Sequence, residues 1–529
     1  MNAEKIPIVV GVTGHRDLSA ADRDTLKTRV TETLKALMAR CPHSEPVLLD
    51  SLAEGADLLC AEVAEALSIP LIAALPIPLC DYEADFSLEG RQALHAYAAA
   101  AQQCFVVPPT EQPSGTVDRD FSYRQASIYV ATHCHMLLAL WDGDESKKDG
   151  CGTAAAVHAA LNGAYVPKEG IPIRSEQNLV VYHILTLRKA EIACGTVTIY
   201  GNQDAFDAIL RETDELNRLC EEHPDPESAL FDAQTDDPIL HRYNRLYGVA
   251  DAGSMQNARR YRRVLAALAL CGTLLTVSFL LYDEASLHGL ILFTGLMLVL
   301  MLLCRRYAVR ADCHRRYLDM RVLAESLRVQ AFLRYAGSPA EAATMLPLIQ
   351  QTETAWVLCA MCALSIGEPP SAAHPIRKSW VDAQRAYHER AAQKTQKKRD
   401  GSDRIVHAAL IGSAVLYVAA LVFELIWGGL KLHPGEPLET AEFWRSVLKI
   451  LLGTLSAGTL FIAGYYGKQS LARKAADHAR MACFYAKLED HLSRQGQTEA
   501  LLRHLAREEL IENGNWYAYQ SDNTPDISL

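Results

Sequence analysis

The sequence predicts an α/β N-terminal domain with a parallel sheet, followed by an all-α membrane region with two transmembrane helical hairpins and long cytoplasmic helices. Three observations predict it. Short apolar runs alternate with helical patterns from residue 6 to about residue 200, which is the rhythm of βαβ units. Four long apolar runs follow, arranged in two pairs. Arginine and lysine flank both pairs, and the segment joining the first two runs has neither.

In chain order, Ile6–Val12 is the first strand, followed by Thr13-Gly14-His15-Arg16 and a helix from about Ala20. This strand is short and follows polar residues, so no signal peptide is expected and the N-terminus should stay in the cytosol. Val47–Asp50 is the second strand; Ser51-Leu52-Ala53-Glu54-Gly55-Ala56-Asp57 leads from it into a helix through Leu67. Pro70–Leu75 is the third and ends in Pro76-Ile77-Pro78. Gln103–Val107, Met136–Trp141 and Val180–Thr186 complete the strand pattern.

Open α/β sheets bind ligands beyond the carboxyl ends of their strands, where loops meet helix N-termini. The glycine-rich turns fall at those points: Gly11 and Gly14, then Gly55, then Gly150-Cys151-Gly152-Thr153. Glycine lets backbone N–H groups approach a phosphate, and a helix N-terminus favours its charge. No full dinucleotide fingerprint or Walker lysine motif is present. Ser51 and Glu54 also have capping-box spacing, and Asp57 suits a first helical turn, so both can be explained without a ligand.

The four apolar runs are Val264–Tyr282, Gly289–Cys304, Ile405–Trp427 and Ser446–Tyr466. A span needs about 20 apolar residues, with about 17 as the lower bound, so the second run is short. Arg259, Arg260, Arg262 and Arg263 precede the first run, and Arg305, Arg306 and Arg310 follow the second. Lys394, Lys397, Lys398, Arg399 and Arg404 precede the third, and Lys468, Arg473 and Lys474 follow the fourth. The positive-inside bias then places the long flanks, the head and both termini on the cytoplasmic side. Trp427, Trp444, Tyr465 and Tyr466 stand where interface anchors belong. Within the second pair, Glu424 and Lys449 would lie at similar depth, either paired as a polar element lining an outer vestibule of the pore or each snorkelling to the outer interface.

The expected organisation is a head over 1–202, a linker and juxtamembrane helix over 203–262, and a first hairpin over 263–304. A cytoplasmic helical region over 305–404, a second hairpin over 405–467 and C-terminal helices over 468–529 follow. A net charge of −11 argues against a broad nucleic-acid footprint. The 14 cysteines show no regular framework. Cys359 and Cys362 read as packing residues of a helix, and His133-Cys134-His135 as strand neighbours that cannot converge on one metal.

Gly11-Val12-Thr13-Gly14-His15-Arg16, Ala53-Glu54-Gly55-Ala56-Asp57, Tyr82-Glu83-x-Asp85-Phe86 and Gly152-Thr153 together resemble a SLOG domain. That Rossmann-like group includes the LOG phosphoribohydrolases, DprA and the N-terminal sensor region of TRPM channels. The likeness covers approximately residues 6–200. Residues from roughly 240 to 520 resemble the SLATT family, on Arg321-x-x-Ala324-Glu325-x-x-Arg328, on Trp380 with Gln384 and Tyr387, and on Glu512-Asn513-x-x-Trp516. Arg321, Glu325 and Arg328 share one helical face and read either as a solvated ladder or as an intersubunit contact.

The resemblance implies a SLOG-like nucleotide sensor fused to a SLATT-type membrane effector of bacterial antiphage or conflict defence, forming pores or disrupting the membrane. LOG hydrolases carry Pro-Gly-Gly-x-Gly-Thr-x-x-Glu, and aligning Gly152-Thr153 puts Ala156 at the catalytic glutamate. Without that carboxylate the general acid–base is missing, so sensing without turnover is expected, with no catalytic residue and no metal. The expected ligand is a nucleotide-derived signal, cyclic or ADP-ribose-like, and no cofactor.

His15, Arg16 and Arg124 are the candidate phosphate contacts, and Asp57 and Asp85 the candidate ribose contacts. Trp141 and Asp142 would wall the site; Gly11, Thr13, Gly14, Ser51, Glu54, Gly55, Pro76, Gly152 and Thr153 would supply its loops. The expected partners are a lipid membrane, the inner (cytoplasmic) one, the nucleotide ligand, further copies of this chain and a nucleotide-signal-producing enzyme. Two alternatives stand beside this reading: a membrane-tethered nucleotide or glycosyl-nucleotide hydrolase, and a scaffold recruiting a cytosolic enzyme.

Overall fold

The computed structural model describes residues 5–108, 118–148, 150–162, 179–186, 194–223, 229–231, 237–285, 287–370, 372–426 and 438–522. The expected interface anchor Trp427 lies outside these residues. The chain forms two compact units. The first comprises Met1–Ala252, Asp319–His374 and Glu499–Tyr517; the second comprises Gly253–Leu318, Pro375–Thr498 and Ala518–Leu529.

The first unit is built on a seven-stranded sheet. Its strands are β1 (Ile8–Gly14), β2 (Pro46–Asp50), β3 (Leu71–Leu75), β4 (Gln103–Val106), β5 (Met136–Trp141), β6 (Val180–Leu185) and β7 (Val197–Tyr200). Their order is β4-β3-β2-β1-β5-β6-β7. Every described pair is parallel except β6–β7. The final antiparallel strand carries no apolar run of its own and was not anticipated from the sequence. The helices around the sheet are α1 (Arg23–Arg40), α2 (Ala56–Ala66), α3 (Leu79–Tyr82), α4 (Leu88–Ala100), α5 (Arg119–His133), α6 (Thr153–Asn162) and α7 (Gln203–Glu222).

Strand alternation divides the core in two. Ile8, Val10 and Val12 point to one face, with Leu26, Val30 and Leu34 of α1 and Leu59 and Val63 of α2. Val9, Val47 and Leu137 point to the other, with Ala126, Tyr129 and Val130 of α5. Ala363 and Ile366 join that second layer, so distant sequence completes the cover. One expectation changes here. His133 ends α5 and His135 precedes β5, so the His-Cys-His run is a helix-to-strand corner rather than a strand. His135 Nδ1 accepts the Val9 N–H at 3.1 Å.

The remaining helices are α8 (Pro238–Glu284), α9 (Leu290–Ala311), α10 (Cys313–Tyr335), α11 (Leu348–Glu353), α12 (Ala355–Leu364), α13 (Ala383–Glu424), α14 (Leu438–Gly467), α15 (Leu471–Gln495) and α16 (Glu499–Asp522). Cys362 is buried in α12, and both it and Cys359 are free thiols. Arg321, Glu325 and Arg328 are not a solvated ladder, because all three find partners within the chain. They form a buried network, with Arg321 bonded to Asp251 at 3.0 Å and Arg328 to Glu325 at 2.6 Å and Glu509 at 3.3 Å. Residues on α8 and α16 supply the acids that their spacing alone could not reveal.

Among the described residues, four helices are long and apolar enough to cross a membrane, within Pro238–Glu284, Leu290–Tyr335, Arg377–Glu424 and Glu442–Gln495. Their apolar side chains are largely exposed, for example Leu292, Leu303, Ile411 and Leu460. An apolar surface this extensive is unfavourable in water, and these helices fit a multi-pass membrane protein. The second run, short as a sequence, belongs to a helix of 22 residues, about 33 Å long at 1.5 Å per residue.

Glu424 and Lys449 make their hydrogen bonds to other residues, though the Lys449 charge still acts on Glu424. Glu424 accepts two bonds from Arg445, at 2.7 and 2.8 Å. Lys449, one turn further along α14, donates to Glu284 of α8 at 3.0 Å, and Ser446 Oγ reaches the same carboxylate at 3.1 Å. Equal depth is a one-dimensional criterion; rotation about the helix axis decides which neighbour each charge meets.

Candidate functional site

β1 pairs with β2 on one side and β5 on the other, so the chain reverses direction across the sheet at the β1–β5 boundary. Such a switch point leaves a crevice beyond the carboxyl ends. Here it is a cleft of about 730 Å³, within the range of small-molecule sites. Thr13, Gly14, His15 and Arg16 line it from β1 and its loop, Ser51 and Asp57 from the β2–α2 turn, and Pro76 from the end of β3. Trp141 and Asp142 line it from β5, and Gly152 and Thr153 from the start of α6.

Close packing shapes the first loop. His15 N–H donates to Leu140 O at 3.0 Å, and His15 O accepts from Ala56 N–H at 3.0 Å. A Cβ on Gly14 would come within 2.3 Å of Ala56 Cβ. The His15 ring is tied to the other strand end: its Nε2 lies 3.1 Å from the Asp142 N–H and 3.1 Å from Asp142 Oδ2. The amide contact requires a bare Nε2 and the carboxylate contact an Nε2–H, so the two are alternatives that the ring's tautomer decides between. Arg16 is exposed, with its guanidinium carbon 5.4 Å from the Tyr123 ring centroid, a cation–π geometry at the rim.

Five sequence candidates lie elsewhere than on the cleft lining. Gly11 is packed beneath Val130 and Cys134. Gly55 is the N-cap of α2 at φ +94°. Glu54 forms no capping box, because the helix begins at Ala56 and the carboxylate instead accepts from Ser87 N–H at 3.1 Å and from the Ser87 hydroxyl. Asp85 accepts from the Tyr123 hydroxyl and from Arg119 at 2.8 Å. Burial alone would raise its pKa, but those bonds prevail and hold it below its ordinary value. Arg124 points toward Gly150 O at 3.5 Å and borders a separate hollow of about 60 Å³.

Tyr82, Tyr123, Ser127, Cys151, Asp144 and Ser146 also line the cleft. Tyr123 and Ser127 lie one helical turn apart on α5, a spacing visible in the sequence but without a motif to mark it. Among the described residues, no cluster of three or more histidine, cysteine or acidic side chains could hold a metal ion.

Asp57 of the lining lies beside a second carboxyl, the fully buried Asp50. Asp50 accepts from Leu52 N–H at 2.6 Å and Asp57 from Ala53 N–H at 3.2 Å. Burial raises the pKa of both, and the charge of Asp50 raises Asp57 further. The folded state therefore keeps a proton that the unfolded chain has lost once pH exceeds about 4. The stability associated with that proton is complete below the unfolded pKa and is lost as pH rises through the raised folded values. Asp57→Asn is expected to flatten this slope and to stabilise the first unit by about 2 kcal/mol at pH 8. Melting the full chain at pH 5 and pH 8 checks it; equal pH slopes in the two proteins would refute the shared-proton account.

A scan against protein-family models matched none of them to this chain, and a search of curated proteins likewise returned no match.

Proposed function

We propose that this chain is a multi-pass protein of the cytoplasmic membrane, a SLOG-like head that senses a nucleotide-derived ligand joined to a SLATT-like effector that perturbs the membrane when ligand binds. The observation that carries the reading is the coincidence of a switch-point cleft, a glycine turn and the start of α6 at one sheet edge, in a chain with four exposed apolar helices. The start of α6 and Arg16 suit a phosphate. Asp17, Asp142 and Asp144 outnumber Arg16 around the cleft, which favours a ligand rich in hydroxyl or amino groups, such as a nucleoside, over a bare polyphosphate. Tyr82, Tyr123 and Trp141 offer ring faces or edges to a base.

In this reading the apolar helices pair as two hairpins, and the head and all basic flanks lie on the cytoplasmic side. Ligand binding shifts the spans only if it favours one of their arrangements energetically. Ala156, buried in α6, supplies no carboxylate to a bound sugar, so the ligand is released unchanged. The effector acts as an oligomer, in a bacterial conflict system whose partner enzyme makes the signal.

The test uses the full chain in nanodiscs, titrated by calorimetry with cyclic nucleotides, ADP-ribose and nucleoside monophosphates, and then in dye-loaded vesicles. Arg16→Ala is expected to weaken binding of the active nucleotide at least tenfold, equivalent to about 1.4 kcal/mol, and to abolish its dye release. Consumption of the nucleotide would favour the hydrolase reading. Absence of binding across the series would leave the scaffold reading.

A further inference from the structure

The turn between α14 and α15 holds polar groups that the fold leaves unsatisfied. Gln469 is 8% exposed and Ser470 7%, and neither Gln469 Nε2 nor Ser470 Oγ has a hydrogen-bond partner among the described residues. Buried donors are ordinarily paired, so two adjacent exceptions point to a missing acceptor. Ser470 is the N-cap of α15, yet its hydroxyl makes no cap bond. The N–H groups of a 25-residue helix therefore open at the same place.

Cations from three helices surround this turn. Lys398 of α13 donates to Gln469 Oε1. Lys474 stands one turn into α15, its ammonium pushed down to about 8 by burial and by the charges of Lys398 and Arg262. Burial also lowers Lys398, together with Arg262 and Lys394. The charges that act on both lysines are thus cationic. Acids close by in sequence have other partners: Asp477 has Arg473 and Arg480, Asp312 has Arg315, Asp403 has Arg399, and Asp400 accepts from Gln396. Clustered cations, a helix N-terminus and orphaned donors together form an anion site awaiting its charge.

Its position indicates the source of the anion. Arg262 stands at the start of the first apolar run and Gln469 just past the end of α14. If those helices cross a bilayer, as the proposed function holds, the turn lies at headgroup level. We propose that the α14–α15 turn binds the phosphate of an anionic phospholipid headgroup through Arg262, Lys398, Lys474, Gln469 and Ser470. The exposed Lys398 side chain covers Gln469 in the lipid-free state and turns toward the phosphate, uncovering the two neutral donors. Bound lipid then clamps α13 and α15 to the membrane end of α14.

The test reconstitutes the full chain in nanodiscs of phosphatidylcholine, alone or mixed with phosphatidylglycerol, and reads retained lipid by native mass spectrometry and the melting midpoint. Wild type is expected to retain phosphatidylglycerol selectively and to melt higher in the mixed discs. K398Q/K474Q should lose retention at least tenfold, K398R/K474R should keep it, and S470A should lower it severalfold while melting normally in phosphatidylcholine. Inorganic phosphate and glycerol phosphate added to phosphatidylcholine discs should not shift the midpoint. Equal retention of the two lipids, or retention unchanged in both K398Q/K474Q and S470A, would overturn the proposal. A shift with inorganic phosphate as large as with lipid would overturn it in favour of a soluble anion. Release of the chain from vesicles by alkaline carbonate would instead remove the membrane reading, and this site with it.

Discussion

Glu325→Ala is expected to destabilise the unit that carries the sheet by about 3 kcal/mol. Glu325 is the centre of the buried network: one oxygen takes Arg321 and the other takes Arg328 at 2.6 Å. Its side chain is 8% exposed and that of Glu509 only 2%. Truncation takes a carboxylate from both guanidinium groups, while the contacts of Arg328 to Glu509 at 3.3 Å and of Arg321 to Asp251 at 3.0 Å remain. Water replaces the lost partner poorly at Arg328, whose side chain is 11% exposed, and desolvation of a less well paired charge is the dominant cost. Glu325→Gln keeps the shape and one acceptor oxygen and should lose roughly half as much. Hydrogen exchange checks both: protection of α10 from Asp319 onward should fall with Ala and fall less with Gln. A loss under about 0.5 kcal/mol would mean that the ladder is solvated after all.

Gly55→Ala should be comparably damaging, at about 3 kcal/mol, and on the proposed function should also abolish nucleotide binding by the cleft. Gly55 sits at φ +94°, and a Cβ there would lie 2.3 Å from Arg16 O and 2.5 Å from His15 O. Both obstacles are backbone, which no side-chain rotation relieves. The loop cannot retreat either, since His15 is fixed by its bonds to Leu140 and Ala56. The β1–α1 loop and the start of α2 must part, and they form two walls of the site. Gly152→Ala is the control: nothing lies within 4 Å of its Cβ, so stability should change by less than about 0.5 kcal/mol. Thermal melts of the two variants should therefore diverge; similar midpoints would show that the close approach at Gly55 is not required.

Gly55 also marks how far residue patterns reach. A glycine just after a strand announces a tight turn, and that much was legible. Its role as N-cap, pressed against the carbonyls of a loop forty residues earlier in the chain, was not, because it depends on the parallel pairing of β1 with β2. Ser51 and Glu54 illustrate the opposite error. Their spacing satisfies a local rule, but Glu54 found a better donor set at Ser87, in the loop before α4.

The sequence by itself determined the α/β head, its strands to within a residue or two, the glycine turns at one sheet edge and the four long apolar helices. These properties are local: periodicity, turn chemistry and run length are written in neighbouring residues. Only the tertiary structure decided the antiparallel β7, the Asp50–Asp57 pair, the aromatic wall from Tyr82 and Tyr123, and the ion pairs Glu424–Arg445 and Lys449–Glu284. Each of these depends on which element lies beside which and on its rotation, and that is set by burying the apolar faces of the whole chain together. The same holds for the α14–α15 turn, where a run of lysines and an unremarkable Gln-Ser pair become a candidate phosphate site only after three helices converge.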